Sequence, residues 1–136
     1  MYNKIVIITD LGGAMKNYSR QREAILSVLR STDTHPTASW VYNKVKEQIP
    51  NISLGTVYRN LAELQKNGEI ISLSVGDGHE HFDGDNSAHI HLHCRICGKI
   101  YDAAVENDYL AAPAKQNGFL PESSVCVVCG ICKNCK

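Results

Sequence analysis

An α+β chain in two parts, helices first and a small sheet-based unit second, follows from three features of the sequence. Apolar residues recur at helical spacing in three successive segments up to residue 66. The period then shortens to alternation on both sides of Gly76-Asp77-Gly78. A second alternating run, His89-Ile90-His91-Leu92-His93-Cys94, opens a cysteine-rich end. At 136 residues the chain makes one domain or two small ones, which excludes a large barrel or a doubly wound enzyme.

The elements are taken in order. Ile5-Val6-Ile7-Ile8 is much shorter than a signal-peptide core or a membrane span, and it stops at Asp10-Leu11-Gly12-Gly13. Either residues 1–14 form a loosely attached N-terminal arm or Met15 marks the natural start. Ser19 reads as the N-cap of a first helix with Arg22, Ile25, Leu26 and Leu29 on one face. After Asp33-Thr34-His35-Pro36, Thr37 caps a second helix whose Ala38, Val41, Tyr42, Val45 and Ile49 share a stripe, with Trp40 off it and Pro50 as the stop. Ser53 caps a third helix, with Val57, Leu61 and Leu64 inward and Asn67-Gly68 at its end. Ile70-Ile71-Ser72-Leu73-Ser74-Val75 and Glu80-His81-Phe82-Asp83 then form a hairpin. Three helices followed by a hairpin predict a winged helix-turn-helix domain over residues 15–84. A polar hinge at 85–88 leads to a small α/β domain over 89–136. Its strands are expected at 89–94, 97–102 and 123–128, with a short helix within 106–116 weakened by Pro113.

Fourteen basic residues balance fourteen acidic ones, so any polyanion must be met by a local patch. Residues 1–66 carry nine Lys/Arg against five acids, whereas 67–93 carry five acids and no Lys or Arg. With its apolar stripe buried, the third helix presents Thr56, Tyr58, Arg59, Asn60 and Glu63, groups that touch base edges, thymine methyls and phosphates in a major groove. Double-stranded DNA is therefore the expected partner, and the acids beside the wing oppose it unless neutralised. No nucleophile–base pair or phosphate loop marks a hydrolase or transferase, so no catalytic residue is assigned and no enzyme is expected. No apolar run is long enough for a membrane, and the clustering of the cysteines points to the cytoplasm rather than to a disulfide framework.

Cys94-Arg95-Ile96-Cys97 and Cys132-Lys133-Asn134-Cys135 are paired knuckles whose spacing lets four thiolates meet one tetrahedral Zn²⁺, a closed and therefore structural site. Cys126 and Cys129 extend the tail into a run that superficially resembles an iron–sulfur motif, but the spacing and the missing proline depart from that pattern. They read as strand residues or redox thiols. A small iron–sulfur or thiol redox protein is the competing reading from another class. On strands, His89, His91 and His93 share one side, as do His79, His81 and Asp83. Imidazoles mixed with carboxylates suit a second, exchangeable site for Fe²⁺, Mn²⁺ or Zn²⁺.

From about Tyr18 to Cys135 the chain resembles the ferric uptake regulator family of metal-dependent bacterial repressors. The resemblance is carried by His35-Pro36-Thr37-Ala38, Ser53-Leu54-Gly55-Thr56-Val57-Tyr58-Arg59-Asn60-Leu61, Phe82-Asp83, His89-Ile90-His91, Cys94-Arg95-Ile96-Cys97-Gly98-Lys99-Ile100 and Gly130-Ile131-Cys132-Lys133-Asn134-Cys135. It implies a homodimeric winged-helix repressor in which the second domain serves dimerisation, the Cys₄ zinc is structural and a regulatory metal lies at the hinge. Within the family the chain is most similar to the peroxide-sensing branch, whose regulatory ligands fall on His35, Asp83, His89, His91 and Asp102. Aspartate at 102 is the mark of that branch. The resemblance further implies that Fe²⁺ at this site reacts with peroxide, with oxidation of His35 or His89 and release of the operator. An iron, manganese or zinc availability sensor of the same family is the alternative. The region Ser123-Ser124-Val125-Cys126 lacks the histidine of the family's additional site, and His81 and His93 stand as extra candidate ligands.

Overall fold

The computed structural model describes residues 13–105 and 110–136, with side chains from residue 18 onward. Three helices, α1 (Gly13–Arg30), α2 (Ala38–Val45) and α3 (Leu54–Lys66), pack on one another and on a two-stranded hairpin, β1 (Ile71–Ser74) and β2 (Glu80–Asp83). Beyond them β3 (His89–Cys94), β4 (Ile100–Ala104) and β5 (Val127–Gly130) form a sheet in the order β4-β3-β5, with the short α4 (Ala112–Gln116) between β4 and β5. This is a winged helix-turn-helix followed by a small α/β unit.

Helix α1 starts earlier than the sequence reading has it. Gly13 to Tyr18 hold no proline, so nothing interrupts the helix, and Ser19 sits inside it rather than capping it. Residues 1–12 of the expected arm lie outside the described residues. Ile25, Leu26 and Leu29 are buried as their spacing requires, and Arg22 reaches Glu69 in an ion pair. Thr37 caps α2 by accepting from the Trp40 amide. The helix ends at Val45 rather than at Pro50: the next backbone bonds, such as Gln48 to Val45, are tighter turns, and Ile49 still reaches the core. Ser53 caps α3, and Asn67 with left-handed Gly68 closes it.

The first core joins all three helices through Ile25, Leu29, Val41, Val45, Val57, Leu61 and Leu64, and Phe82 seals it from β2. A much smaller second core unites Leu73 and Val75 of the hairpin side with Ile100 and Val127 of the other sheet. The wing is thus pinned on both sides. Gly84, one residue past β2, lies against the end of α1, where an added Cβ comes within 2.9 Å of the Leu29 backbone carbon and oxygen. Backbone atoms in a packed helix have no room to give. Gly84→Ala is expected to cost about 1–3 kcal/mol by overpacking, read as a lowered midpoint in thermal or urea denaturation.

In the second sheet β3 pairs antiparallel with β4, His91 standing opposite Asp102, and parallel with β5, His93 opposite Cys129. The strand expected at 97–102 begins only at Ile100, because Cys97 and left-handed Gly98 make the knuckle turn. The strand expected at 123–128 runs instead from Val127 to Gly130, where two β-branched residues lie beside β3 and the chain is delivered to the last knuckle. Residues 106–109 of the expected helix lie outside the described residues. Of the rest, Ala112–Gln116 form α4, and Pro113 sits in its first turn, where a missing N–H costs nothing. Among the described residues no helix is long and apolar enough to cross a membrane.

Candidate metal centres

The left-handed backbone of His35 (φ 55°) turns the chain between α1 and α2 and aims its ring inward, a conformation that costs a non-glycine residue roughly 1–2 kcal/mol. Across from it, Asp83 ends β2 and is buried. His89 and His91 share one face of β3, and antiparallel register sets Asp102 beside them. All three rings turn Nε2 toward the same point. To Asp83 Oδ2 the distances are 3.3 Å from His35, 2.9 Å from His89 and 3.0 Å from His91. To Asp102 Oδ1 they are 2.7, 3.3 and 3.6 Å in the same order. One ligand atom each from His35, Asp83, His91 and Asp102 lies within 4.8 Å of the others, and His89 Nε2 stands 3.1 Å from His91 Nε2.

The donor set fits a small divalent cation. Bonds of roughly 2.1 Å arranged octahedrally put neighbouring donors about 3 Å apart, the spacing these atoms have. Nδ1 of His35 and of His91 is buried without a partner among the described residues, so the Nε2 atoms carry the rings' polar interactions there. The electrostatics agree. Burial opposes charge on Asp83, yet bonds from His35, His91, the Asp85 amide and His89 hold its carboxyl far below the ordinary range. Burial also works against a charged ring at His35, but Asp83 and Asp102 outweigh it and raise its pKa. For His89, likewise, burial is outweighed by the Ser87 carbonyl and Asp83.

The second cluster is made entirely of sulfur. Sγ atoms of Cys94, Cys97, Cys132 and Cys135 lie within 4.8 Å of one another, with Cys97 and Cys132 3.9 Å apart. Tetrahedral thiolates at about 2.3 Å from Zn²⁺ are separated by about 3.8 Å. Backbone N–H groups of Cys97 and Cys132 bring the Cys94 thiol down to about 6. Cys135 is pushed up to about 12, first by Cys132, because four adjacent sulfurs cannot all ionise without a cation among them. Tyr101, which the sequence reading passed over, faces Cys132; that neighbour raises the phenol to about 12, while the hydroxyl lowers Cys132. The alternation of Ile100-Tyr101-Asp102 was its only signal.

Other expected site residues fare differently. His81 does not join the first cluster: Nδ1 is 2.8 Å from the His35 carbonyl oxygen and Nε2 is 2.7 Å from Asp77 Oδ2. His93 also stays outside it, its Nδ1 buried without a partner among the described residues. Cys126 and Cys129 are free thiols outside the sulfur cluster. The knuckle Cys132/Cys135 thus closes on Cys94/Cys97 rather than on its own tail, which removes the geometric basis for an iron–sulfur run. On α3, Tyr58 is 50% exposed and Arg59 is exposed, its guanidinium on the Thr56 hydroxyl. Asn60 corrects the expected exposed face. It is 3% exposed and bonds the Thr56 carbonyl, because position 60 lies on the same stripe as Val57, Leu61 and Leu64.

Comparisons with known proteins agree with one another. The chain is 34% identical over 131 residues to the peroxide-responsive repressor PerR of Staphylococcus aureus, spanning 95% of this chain and 88% of that one. Its structure is similar to the Campylobacter jejuni peroxide stress regulator, with TM-score 0.80 and 28% identity over 96% of this chain and 100% of that one. It is also similar to the Helicobacter pylori ferric uptake regulator Fur, a protein with three functional metal binding sites, with TM-score 0.69 and 25% identity over 93% of this chain and 89% of that one. The ferric uptake regulator family model matches residues 14–121. With both donor clusters and the winged helix carried on one such chain, the protein belongs to the ferric uptake regulator family.

Proposed function

We propose that this protein is a metal-dependent, DNA-binding transcriptional repressor that senses peroxide through Fe²⁺ held by His35, Asp83, His89, His91 and Asp102. One observation carries the reading: five donors come together from the α1–α2 connection, the wing and the second sheet. The Cys₄ cluster holds structural Zn²⁺, and Fe²⁺ or Mn²⁺ belongs to the His/Asp cluster. The likeness to the Staphylococcus aureus and Campylobacter jejuni peroxide regulators supports the peroxide assignment.

His35 and Asp83 belong to the winged helix, His89, His91 and Asp102 to the second unit. Gathered on one cation, they tie the two parts together at a fixed angle. Two chains dimerise through the second unit, whose Leu92, Val128 and Ile131 are exposed. The paired α3 helices then match successive major grooves of operator DNA, with Thr56, Tyr58 and Arg59 in reach. Binding of a cation also neutralises Asp83 and Asp102 beside an already acidic wing. The domains are 15–84 for DNA binding and 89–136 for dimerisation and metal, joined by the hinge at 85–88. The compartment is the cytoplasm, where thiols stay reduced.

His35, Asp83, His89, His91 and Asp102 would hold Fe²⁺, which would activate hydrogen peroxide so that one oxygen inserts into a ring C–H of His35 or His89 and the other leaves as water. An oxidised ring no longer presents Nε2 with its former geometry, and the two parts separate. Peroxide given to the Fe²⁺-loaded protein should add an oxygen to the peptide carrying His35 or His89, detectable by mass spectrometry, and the Mn²⁺-loaded protein should gain none. No gain on either peptide in the Fe²⁺ form leaves a sensor of metal availability.

A further inference from the structure

His81 is two residues from Asp83 on the wing strand, yet its ring is not among the clustered donors. Its ring bridges two other places. Nδ1 donates to the carbonyl of His35, 2.8 Å away, and Nε2 faces Asp77 Oδ2 at 2.7 Å. A carbonyl only accepts, so Nδ1 donates to His35, and Nε2 is taken up by Asp77; both ring nitrogens are engaged away from the donor cluster.

What His81 grips is the strained position of the fold. Among the described residues His35 alone combines a side chain with a left-handed backbone, and its own ring enters the donor cluster from there. The next carbonyl, that of Pro36, accepts from the Phe82 amide at 2.9 Å. Residues 35 and 36 are therefore fastened to 81 and 82 by two adjacent bonds, one of them from a side chain. At its other end the ring meets the wing tip. Asp77 sits between left-handed Gly76 and Gly78 and also accepts from the His79 amide.

We infer that His81 is a positioning residue: with Asp77 it holds the His35 backbone in its left-handed turn and so links the wing tip to the His35 ring in the metal cluster. The inference builds on the metal-dependent reading above. Outer partners that orient a metal-binding histidine change metal affinity by about 10–100-fold when removed. Here the orienting bond is made to the backbone of His35 rather than to its ring.

The test uses full-length, zinc-loaded protein and Co²⁺ as probe, its visible absorption reporting the His/Asp cluster. His81→Phe keeps a flat ring but removes both bonds, and about tenfold weaker Co²⁺ binding is expected with unchanged zinc content. His81→Asn places an amide N–H where Nδ1 stood and should recover affinity to within a few-fold. Asp77→Ala, on the exposed turn, gives a milder loss and serves if His81→Phe does not fold. In the metal-free protein, hydrogen exchange at the Phe82 amide should quicken in His81→Phe and return toward normal in His81→Asn. Unchanged Co²⁺ affinity and exchange in His81→Phe would overturn the proposal, as would His81→Asn behaving like His81→Phe. If the wild type takes up no Co²⁺ at the cluster while exchange still responds, the positioning role stands and the metal-sensing reading falls.

Discussion

Asp83→Ala is expected to abolish the metal-dependent DNA binding proposed above while leaving the zinc and both folded units in place. Its carboxylate is the shared centre of the cluster, one oxygen lying within 3.3 Å of Nε2 of His35, His89 and His91. It is also buried, so no solvent-facing group replaces it. Removing one partner of an outer contact costs roughly 10–100-fold in metal affinity, and a buried carboxylate that faces all three imidazoles costs at least that much. The helical core is built from α1, α2, α3 and Phe82 and does not include Asp83, so circular dichroism should change little. The measurement is fluorescence anisotropy of labelled operator-type DNA across a Mn²⁺ titration. Retention of the wild-type Mn²⁺ dependence would contradict the assignment of Asp83.

Cys94→Ser is expected to have the other large effect, on the second unit. That unit's share of the smaller buried apolar cluster is only Ile100 with Val127 packed beside it, the other members, Leu73 and Val75, coming from the hairpin side. A core of this size does not hold a fold by itself. In the proposed reading, zinc on the Cys₄ cluster supplies the missing stability by fastening the turn after β3 to the end of the chain, where the Arg95 amide meets the Gly130 carbonyl at 2.8 Å. Structural zinc contributes on the order of 10 kcal/mol of folding free energy in small domains. The serine variant should lose about one zinc per chain and with it protection of β3 and β5 amides from hydrogen exchange, and α1 to α3 should stay protected. Full zinc content and native protection in the variant would refute a structural role.

Much of this was legible in sequence, and the reasons differ by element. The helices and hairpin were readable because apolar period and capping residues agreed: Thr37 and Ser53 cap as expected, and Val57, Leu61 and Leu64 are buried. Ser19 misled because a good cap residue is also tolerated within a helix when nothing upstream breaks it. Asn60 misled because a polar side chain on the buried stripe ties its Nδ2 to the preceding turn, although its Oδ1 is buried without a partner among the described residues. The two knuckles needed only local spacing. By contrast, the residues of the His/Asp cluster lie up to 67 positions apart, so spacing along the chain says nothing of their meeting, and resemblance supplied the set. Local spacing also grouped His81 with Asp83, since alternate residues share a strand face. It could not reveal that the His35 carbonyl and Asp77 occupy the His81 ring. Gly84 carried no local signal, since its need for a missing side chain arises from the α1 backbone far away in sequence.

The central claim is that a cation at the His/Asp cluster switches DNA binding and that peroxide reverses it only when that cation is iron. The direct measurement is DNA binding by zinc-loaded protein, to fragments selected from a random pool, in the metal-free, Mn²⁺-loaded and Fe²⁺-loaded states before and after peroxide. Tight binding in both loaded states, lost after peroxide in the Fe²⁺ state alone, is the predicted result. Equal binding with and without metal, or equal loss in the Mn²⁺ and Fe²⁺ states, would contradict it.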